Sequence, residues 1–276
     1  MSLKLITPND LTRAQMEALF ARADEIANGA SPNLSGTHIA LAFFNTAFPL
    51  PINVEQTLRD AGAQIISLAS PEHITNTNAN IILFSSPQTD SARAYAAKTN
   101  ASFLNAGDGT HENPVRALCD AYAIWTLKGN LQHYRTAILG NAKFSAEAHS
   151  LARVLGIFGA RISFITTAPL SMPYDLTDEV RLSAYEVEET NDLATTLRKT
   201  DALYLANIDP HRVEKKIFDK QKNFYTLTPE TFAEAKEGLV ILGEWDGAES
   251  LLAPTRPAVE RAARAMMCAL VEFAIK

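Results

Sequence analysis

Short apolar runs alternate with helix-patterned segments along most of this chain, and the alternation constrains the fold more than any other feature. The clearest run, residues 38–44, reads His-Ile-Ala-Leu-Ala-Phe-Phe and is apolar after its first residue. Such a run is typical of a parallel strand that is covered on both faces. Strands that alternate with helices predict an α/β fold with two doubly wound parallel sheets. The other predicted strands are residues 65–68, 81–84, 102–104, 136–139, 161–166, 185–187, 202–205 and 239–242.

Helix start and stop signals lie between these strands. Asn53 is a favourable N-cap. Pro114 and Pro257 fall in first helical turns, where the missing N–H of proline costs no hydrogen bond. After Val115 the apolar residues recur at three- and four-residue spacing, which indicates one buried helical face. The predicted helices are residues 7–28, 53–62, 89–100, 114–128, 145–158, 190–199 and 255–275.

The length of 276 residues fits two domains better than one. One helix pattern ends at the Lys-Gly-Asn of residues 128–130, so we place the first domain at residues 1–129. The second domain is then residues 130–254, followed by a helix within residues 255–276. In doubly wound sheets ligands bind outside the carboxyl ends of the strands, and we expect a cleft between the two domains there.

The charge balance limits the classes of partner. With 25 Lys and Arg against 31 Asp and Glu, the net charge is −6, so we expect no nucleic-acid partner and no anionic membrane surface. Cys119 and Cys268 lie in helical apolar patterns, as reduced core cysteines do, which favours a cytoplasmic location. No signal-peptide pattern and no apolar stretch of membrane-spanning length is evident.

No cofactor and no metal is predicted from the motifs. The chain has neither the Gly-X-Gly-X-X-Gly fingerprint of dinucleotide sites nor a phosphate-binding P-loop motif. His73, His111, His133 and His211 are scattered without metal-ligand spacing.

Residues 104–127 are the stretch on which a functional interpretation depends. A strand end at Leu104 leads through a turn with Gly107 and Gly109 into the helix that begins near Pro114. A polar loop between a strand and a helix presents free N–H groups at a positive helix terminus, where anions commonly bind. The same pattern also fits a loop that only connects two elements.

Residues 104–114 read Leu-Asn-Ala-Gly-Asp-Gly-Thr-His-Glu-Asn-Pro. This resembles the Leu-Asn-Ala-Gly-Asp-Gly stretch of the aspartate/ornithine carbamoyltransferase family, which is usually followed by a His-Pro-Thr-Gln turn. Within that family the chain is most similar to the catalytic chain of aspartate carbamoyltransferase. Supporting similarities are Leu-Thr-Arg at 11–13, Ala-Phe-Phe at 42–44, His-Ser-Leu at 149–151 and a Pro-X-X-Met-Pro pattern within 168–173.

The resemblance implies the organisation of that family. Residues 1–129 would form a carbamoyl-phosphate domain and residues 130–254 an amino-acid domain. The helix of residues 255–276 would return to the first domain. Family members are transferases that form trimers with shared active sites, so a homotrimer is expected, or a mixed assembly with an active relative.

The phosphate-binding loop departs from the family pattern. Where the family has Ser-Thr-Arg-Thr-Arg, this chain has Ala47, Phe48, Pro49, Leu50 and Pro51. The family's arginine and hydroxyl groups hold a dianion and stabilise charge on its leaving group. Apolar residues and prolines cannot supply those donors. We therefore expect that carbamoyl phosphate does not bind in the family's manner.

Five other ligand positions depart from the family together. Residues 70–80 contain no lysine, and the expected arginine after the next strand is replaced in the Phe-Ser-Ser-Pro of residues 84–87. The His-Pro-Thr-Gln turn is replaced by Asn-Pro-Val-Arg at 113–116, and the late His-Pro-Leu-Pro-Arg loop by Gly-Glu-Trp-Asp-Gly at 243–247. The loop that carries an arginine for the amino acid's carboxylate reads Lys-Phe-Ser-Ala at 143–146. Ordinary aspartate carbamoylation is therefore not expected.

In the first domain the candidate ligand residues are His111, Asn113 and Arg116. Arg116 takes the place of the family's glutamine and would hold a carboxylate or another anion. His111 would titrate near neutral pH. The same residues also fit an exposed loop histidine and an arginine that pairs with Glu112 or another acid.

In the second domain the candidates are Lys143 and Glu244. Lys143 with His149 would face the interdomain cleft, although His149 also fits a packed helix histidine. Glu244 with Trp245 and Asp246 would suit a cationic or amide ligand, and the same three residues also fit a solvated turn with one buried tryptophan. No catalytic residue is assigned.

Two functional hypotheses follow. The first is a catalytically silent relative of aspartate carbamoyltransferase, a pseudoenzyme that binds a small amino-acid-like or amide metabolite or assembles with an active relative. The second is a divergent enzyme of the same fold that acts on a carbamoyl, ureido or amide compound.

Overall fold

Two five-stranded parallel sheets form the framework of the chain in a computed structural model that describes residues 2–44, 50–208, 213–221 and 227–276. The sheets belong to separate compact units. One unit comprises Met1–Ala123 with Ala258–Lys276, and the other Ile124–Pro257. This architecture confirms the predicted α/β class with two parallel sheets. The domain limits at residues 129 and 254 stay a prediction.

The first sheet has the strand order β1-β5-β4-β2-β3, and every pairing is parallel. In β2 and β4 the side chains of Ile39 and Ile81 lie opposite each other and are fully buried, because helices and loops cover both faces. Its strands are β1 Lys4–Leu5, β2 His38–Phe43, β3 Gln64–Ser67, β4 Ile81–Ser86 and β5 Ser102–Asp108.

The first two α-helices of the first unit begin at side-chain caps. The Thr12 hydroxyl accepts a hydrogen bond from Gln15 N, and the Asn53 side chain accepts one from Gln56 N, as the sequence predicted for Asn53. The helix predicted from residue 7 in fact begins at Arg13, because residues 8–10 form a separate 3-10 turn. The helices are α1 Arg13–Ala27, α2 Val54–Asp60, α3 Ala92–Ala96 and α4 Pro114–Lys128.

The second sheet has the order β10-β9-β6-β7-β8 and is also parallel throughout. Its strands are β6 Arg135–Gly140, β7 Arg161–Ile165, β8 Glu186–Thr190, β9 Ala202–Ala206 and β10 Val240–Gly243. The helices of this unit are α5 Ala146–Ile157, α6 Tyr174–Arg181, α7 Leu193–Leu197, α8 Lys215–Gln221 and α9 Glu249–Leu252. The sequence did not predict α8.

The last helix, α10 (Arg256–Ala274), supplies one long buried face to the first unit. The Ser102 hydroxyl donates to the Ala274 carbonyl at 2.6 Å. Arg22 on α1 holds Glu272 through two hydrogen bonds of 2.7 and 3.1 Å. Among the described residues, no helix has both the length and the apolar character needed to cross a membrane.

Candidate functional site

The carboxyl ends of β4 and β5 lie side by side in the middle of the first sheet. The Asn-Ala-Gly-Asp part of the motif is still strand, so the turn predicted at residue 107 in fact begins after Asp108. Gly109 has φ +69°, and a Cβ there would lie 2.5 Å from the Thr89 hydroxyl oxygen. Its N–H donates to the Ser86 carbonyl at 2.9 Å. Glycine at this position therefore lets the two strand-end loops approach each other.

Asp108 organises the loop that follows β5. Its buried carboxylate accepts hydrogen bonds from Glu112 N at 2.9 Å, Asn105 Nδ2 at 3.2 Å and Ala92 N at 3.3 Å. A buried carboxylate is stable only when its oxygens are bonded in this way. Asp108 thus joins β5, the loop of residues 109–113 and the start of α3.

His111 lies between two carboxylates. Its Nδ1 is 3.3 Å from Asp108 Oδ2 and 3.6 Å from Asp90 Oδ1. The hydrogen bond to Asp108 raises the pKa of His111 above its usual 6.5, and the charges of Asp108, Glu112 and Asp90 act in the same direction against the opposing effect of burial. The predicted titration near neutrality is therefore displaced upward.

Asn113 caps α4. Its side-chain oxygen accepts from Arg116 N at 3.0 Å, and its backbone carbonyl accepts from Ala117 N at 3.0 Å. Pro114 occupies the first helical position, where it has no N–H to lose. The candidate ligand residue Asn113 therefore already has a structural role at the start of the helix.

Arg116 is buried in the first turn of α4, with 2% of its side chain exposed. Its Nε donates to Asp120 Oδ2 at 2.7 Å, and the Asp120 side chain is 1% exposed. Arg116 therefore pairs with an acid in this structure, while its role as a ligand residue stays a prediction. That acid is Asp120, one helical turn further on.

The positions of the family's phosphate loop are partly outside the described residues, which include Leu50 and Pro51 but not Ala47, Phe48 or Pro49. Leu50 is buried. At the end of β4, where the resemblance implies an arginine, Ser85 and Ser86 are both buried. Pro71–Asn76, within residues 70–80 that contain no lysine, form a 3-10 turn.

The candidates in the second unit lie after the carboxyl ends of two strands. Lys143 follows β6, and its Nζ lies 5.2 Å from the ring centroid of Phe144. Glu244 follows β10 and is exposed, and its backbone N–H donates to the Leu205 carbonyl at 2.9 Å. The structure brings His111, Asn113 and Arg116 together around one loop and places Lys143 and Glu244 in the other unit.

Two further residues of the second unit have packing contacts. His149 is buried in α5, with its Nε2 2.9 Å from the Ala142 carbonyl oxygen, so its surroundings are those of a packed helix histidine. The indole of Trp245 lies against Gly140, where an added Cβ would come within 2.7 Å of a ring carbon. Gly140 also has φ +112°, a backbone conformation that residues with a side chain rarely adopt, so glycine is favoured on this ground as well.

Sequence reasoning missed Asp90 and Asp108. Asp108 ends β5 and Asp90 follows the neighbouring parallel strand β4, so the alternation of strands and helices could have placed both at the carboxyl edge, but only the strand order shows that they are neighbours. The donor atoms of Asp90, Asp108 and His111 lie within 4.8 Å of one another, which is close enough for a cation. However, both oxygens of Asp108 already accept N–H groups of the chain, so the group is satisfied as an ion-paired cluster.

The chain matches known proteins over most of its length. Residues 4–126 match the family model described as aspartate/ornithine carbamoyltransferase, carbamoyl-P binding domain. The aspartate carbamoyltransferase catalytic subunit of Methanopyrus kandleri is 31% identical over 258 residues, which are 86% of this chain and 84% of that protein. The corresponding subunit of Methanocella arvoryzae is 24% identical over 257 residues, 86% of this chain and 83% of that protein.

Solved structures of the same fold superpose on nearly the whole chain. The aspartate transcarbamoylase of Trypanosoma cruzi in complex with phosphate has a TM-score of 0.83 at 18% identity, covering 97% of this chain and 95% of that one. The catalytic subunit of M. jannaschii aspartate transcarbamoylase has a TM-score of 0.81 at 20% identity, covering 99% of both chains. These likenesses establish the fold.

Proposed function

This chain belongs to the aspartate/ornithine carbamoyltransferase family, and from that premise we propose that it lacks ordinary aspartate carbamoylation. In this proposal it is a cytoplasmic pseudoenzyme that binds a small amino-acid-like or amide metabolite. It assembles as a homotrimer, or in a mixed assembly with an active relative.

The observation that carries the proposal is the charge at the carboxyl edge of the first sheet. Asp90 and Glu112 bring two carboxylates to this edge of the domain that the family model describes as carbamoyl-P binding, beside Asp108, which the family's Leu-Asn-Ala-Gly-Asp-Gly stretch also has. A phosphoryl group carries a charge of about −1.5 to −2 near neutral pH. Carboxylates repel such a group, so the binding of an anionic substrate there is electrostatically unfavourable.

Two further features support the loss of the phosphate site. The guanidinium of Arg116, which stands at the family's glutamine position, is engaged by Asp120 inside the protein. Residues 45–51 read Asn-Thr-Ala-Phe-Pro-Leu-Pro and contain neither lysine nor arginine. Without cationic donors the transferring phosphate cannot be held and its developing charge cannot be stabilised.

Calorimetry tests the phosphate-site proposal directly. We expect no saturable heat and no thermal stabilisation with carbamoyl phosphate, inorganic phosphate or N-(phosphonacetyl)-L-aspartate. We also expect no carbamoyl aspartate to form in an activity assay. The Methanopyrus kandleri catalytic subunit, handled identically, provides the comparison. Saturable binding of N-(phosphonacetyl)-L-aspartate by this chain would contradict the proposal.

One observation favours the second candidate, a divergent enzyme acting on a carbamoyl, ureido or amide compound. The imidazole of His111 is hydrogen-bonded to a buried carboxylate at a strand end, an arrangement suited to proton transfer. A screen of such compounds by thermal shift, followed by assays for turnover, separates the two candidates. Turnover that disappears in His111→Gln while binding persists would establish the enzyme.

The assembly is tested by light scattering during size-exclusion chromatography. A mass of about three chains of 30.1 kDa is expected for the homotrimer. Co-purification with an active relative in place of self-assembly would favour the mixed form.

A further inference from the structure

We infer that the loops after β4 and β5 are joined by a proton-operated latch, in which protonated His111 bridges Asp108 of β5 and Asp90 of the loop before α3. This inference goes beyond the proposed function, since it concerns the two loops themselves. It stands whether or not the chain binds a metabolite.

The geometry places one ring nitrogen against carboxylates from two elements. His111 Nδ1 lies 3.3 Å from Asp108 Oδ2 and 3.6 Å from Asp90 Oδ1. A neutral ring carries one proton and no charge, whereas the imidazolium attracts both carboxylates. Asp108 is fixed by the backbone around it, and Asp90 is exposed, so Asp90 is the mobile partner.

Besides the hydrogen bond from Gly109 N to the Ser86 carbonyl, two other contacts between the loops are of the kind that opens easily. Thr110 N donates to the Thr89 hydroxyl at a long 3.3 Å, and the two threonine hydroxyls are also 3.3 Å apart. Both contacts are solvent-exposed. Asp90 itself has φ +57°, a conformation that residues other than glycine adopt only where their surroundings favour it. The ion pair thus adds a charged attraction between Asp90 and the loop of residues 109–113.

The sign of the pH dependence follows from the charges that face the ring. Asp108 on β5, Asp90 on the neighbouring loop and Glu112 on the histidine's own loop all favour the imidazolium, and the pKa of His111 is raised above 6.5 in the folded chain. The contribution of the latch to the stability of the joined loops is therefore fully present below pH 6.5. It is lost as the pH rises through the raised folded value.

Histidine NMR titration tests the latch without any ligand. The His111 signal is identified by its absence in His111→Gln, and we expect it to titrate above pH 6.5. Asp90→Asn should lower that pKa, and the change should be small because an exposed carboxylate is partly screened. Asp60→Asn removes an exposed carboxylate elsewhere in the first unit and should leave the pKa unchanged. A titration at or below 6.5, or an unaltered pKa in Asp90→Asn, would overturn the inference.

Amide hydrogen exchange provides the structural readout. After correction for the intrinsic pH dependence, protection of Thr110 should fall about several-fold as the pH rises through the His111 pKa. In Asp90→Asn the fall should be much smaller, and this variant keeps the fold because Asp90 is exposed. Asp108 is not a suitable target, since its carboxylate also holds backbone N–H groups. Equal pH dependence of Thr110 in the wild type and in Asp90→Asn would refute the latch. The test uses no metabolite, so its failure is distinct from a failure of the proposed function.

Discussion

At the scale of single residues, the buried pair of Arg116 and Asp120 governs the start of α4. Neither side chain is more than 2% exposed, and the pair is joined at 2.7 Å. Removing one partner of a buried pair leaves an uncompensated charge, which costs about 3–5 kcal/mol.

We therefore expect Arg116→Ala to lower the free energy of unfolding by about 3–5 kcal/mol, measured by urea denaturation. Arg59→Ala, which breaks the exposed pair with Glu55, should cost about 0–1 kcal/mol under the same conditions. If the two variants were equally stable, the Arg116–Asp120 pair would not be buried in solution.

Gly109 gives a second prediction at this scale. Gly109→Ala combines φ +69° with a Cβ only 2.5 Å from Thr89, so it should be destabilising. The matched control is Gly36→Ala, which has φ +77° but no atom within 4 Å of the added Cβ. Thermal unfolding should show Gly109→Ala as the less stable variant by at least about 1 kcal/mol, because only this position adds a clash. Equal losses would mean that the two loops are further apart than described.

At the scale of elements, α4 depends on its cap. Asn113→Ala removes the acceptor for Arg116 N and should destabilise the chain by about 1 kcal/mol. Asn113→Asp keeps that acceptor and should recover most of the loss in denaturation experiments. If a metabolite is found that binds the first unit, its affinity can be measured for the same two variants. A ligand role of Asn113 would be shown if Asn113→Asp had the stability of the wild type but bound the metabolite as weakly as Asn113→Ala.

The comparison of predicted and observed elements shows which signals the sequence carries. Residues 38–44 and 114–128 were predicted nearly correctly, since an uninterrupted apolar run and a proline-started amphipathic pattern are strong local signals. The helix predicted at residues 89–100 is only Ala92–Ala96, because Asp90 has positive φ and lies outside the helix. The helix α8 has the sequence Lys-Lys-Ile-Phe-Asp-Lys-Gln, whose two adjacent apolar residues are too few to form the three- and four-residue spacing that reveals a helix.

The candidate site was less predictable than the fold. The sequence predicted a loop before the helix that begins near Pro114, and the structure has that loop at residues 109–113, but the sequence did not predict the partners of its side chains. Arg116 pairs with Asp120 on its own helix, and a spacing of four residues could have suggested that pairing. The approach of Asp90 to His111 depends on strand order, which brings β4 beside β5, and a local pattern does not contain that information.

At the scale of the whole molecule, the first unit is closed by an ion pair between positions far apart in the chain. Arg22 on α1 holds Glu272 on α10 through two hydrogen bonds, and Glu272 also accepts Asn33 N at 2.8 Å. The bond to Arg22 lowers the pKa of Glu272 below its usual 4.5. A lowered carboxylate pKa stabilises the fold above pH 4.5, and that stabilisation is lost as the pH falls through the folded value.

Glu272→Gln should accordingly reduce the free energy of unfolding by about 1 kcal/mol at pH 7. The difference from the wild type should shrink toward zero as the pH falls well below 4.5. Denaturant titrations at pH 7 and pH 3 measure both values. Glu260→Gln, in an exposed pair within α10, serves as the control and should have little effect at either pH. A difference that grew at low pH would contradict the assigned sign.

The first unit consists of two chain segments, residues 1–123 and 258–276, whereas the second unit is continuous. A nascent chain leaves the ribosome from its amino end, so the earlier segment emerges long before its partner helix exists. Domains usually fold in the order of their synthesis. Here the first unit cannot be completed until the second unit has been synthesised. During that time the apolar surface that α10 later covers is still exposed. We expect this interval to be the one in which the chain is most prone to aggregate.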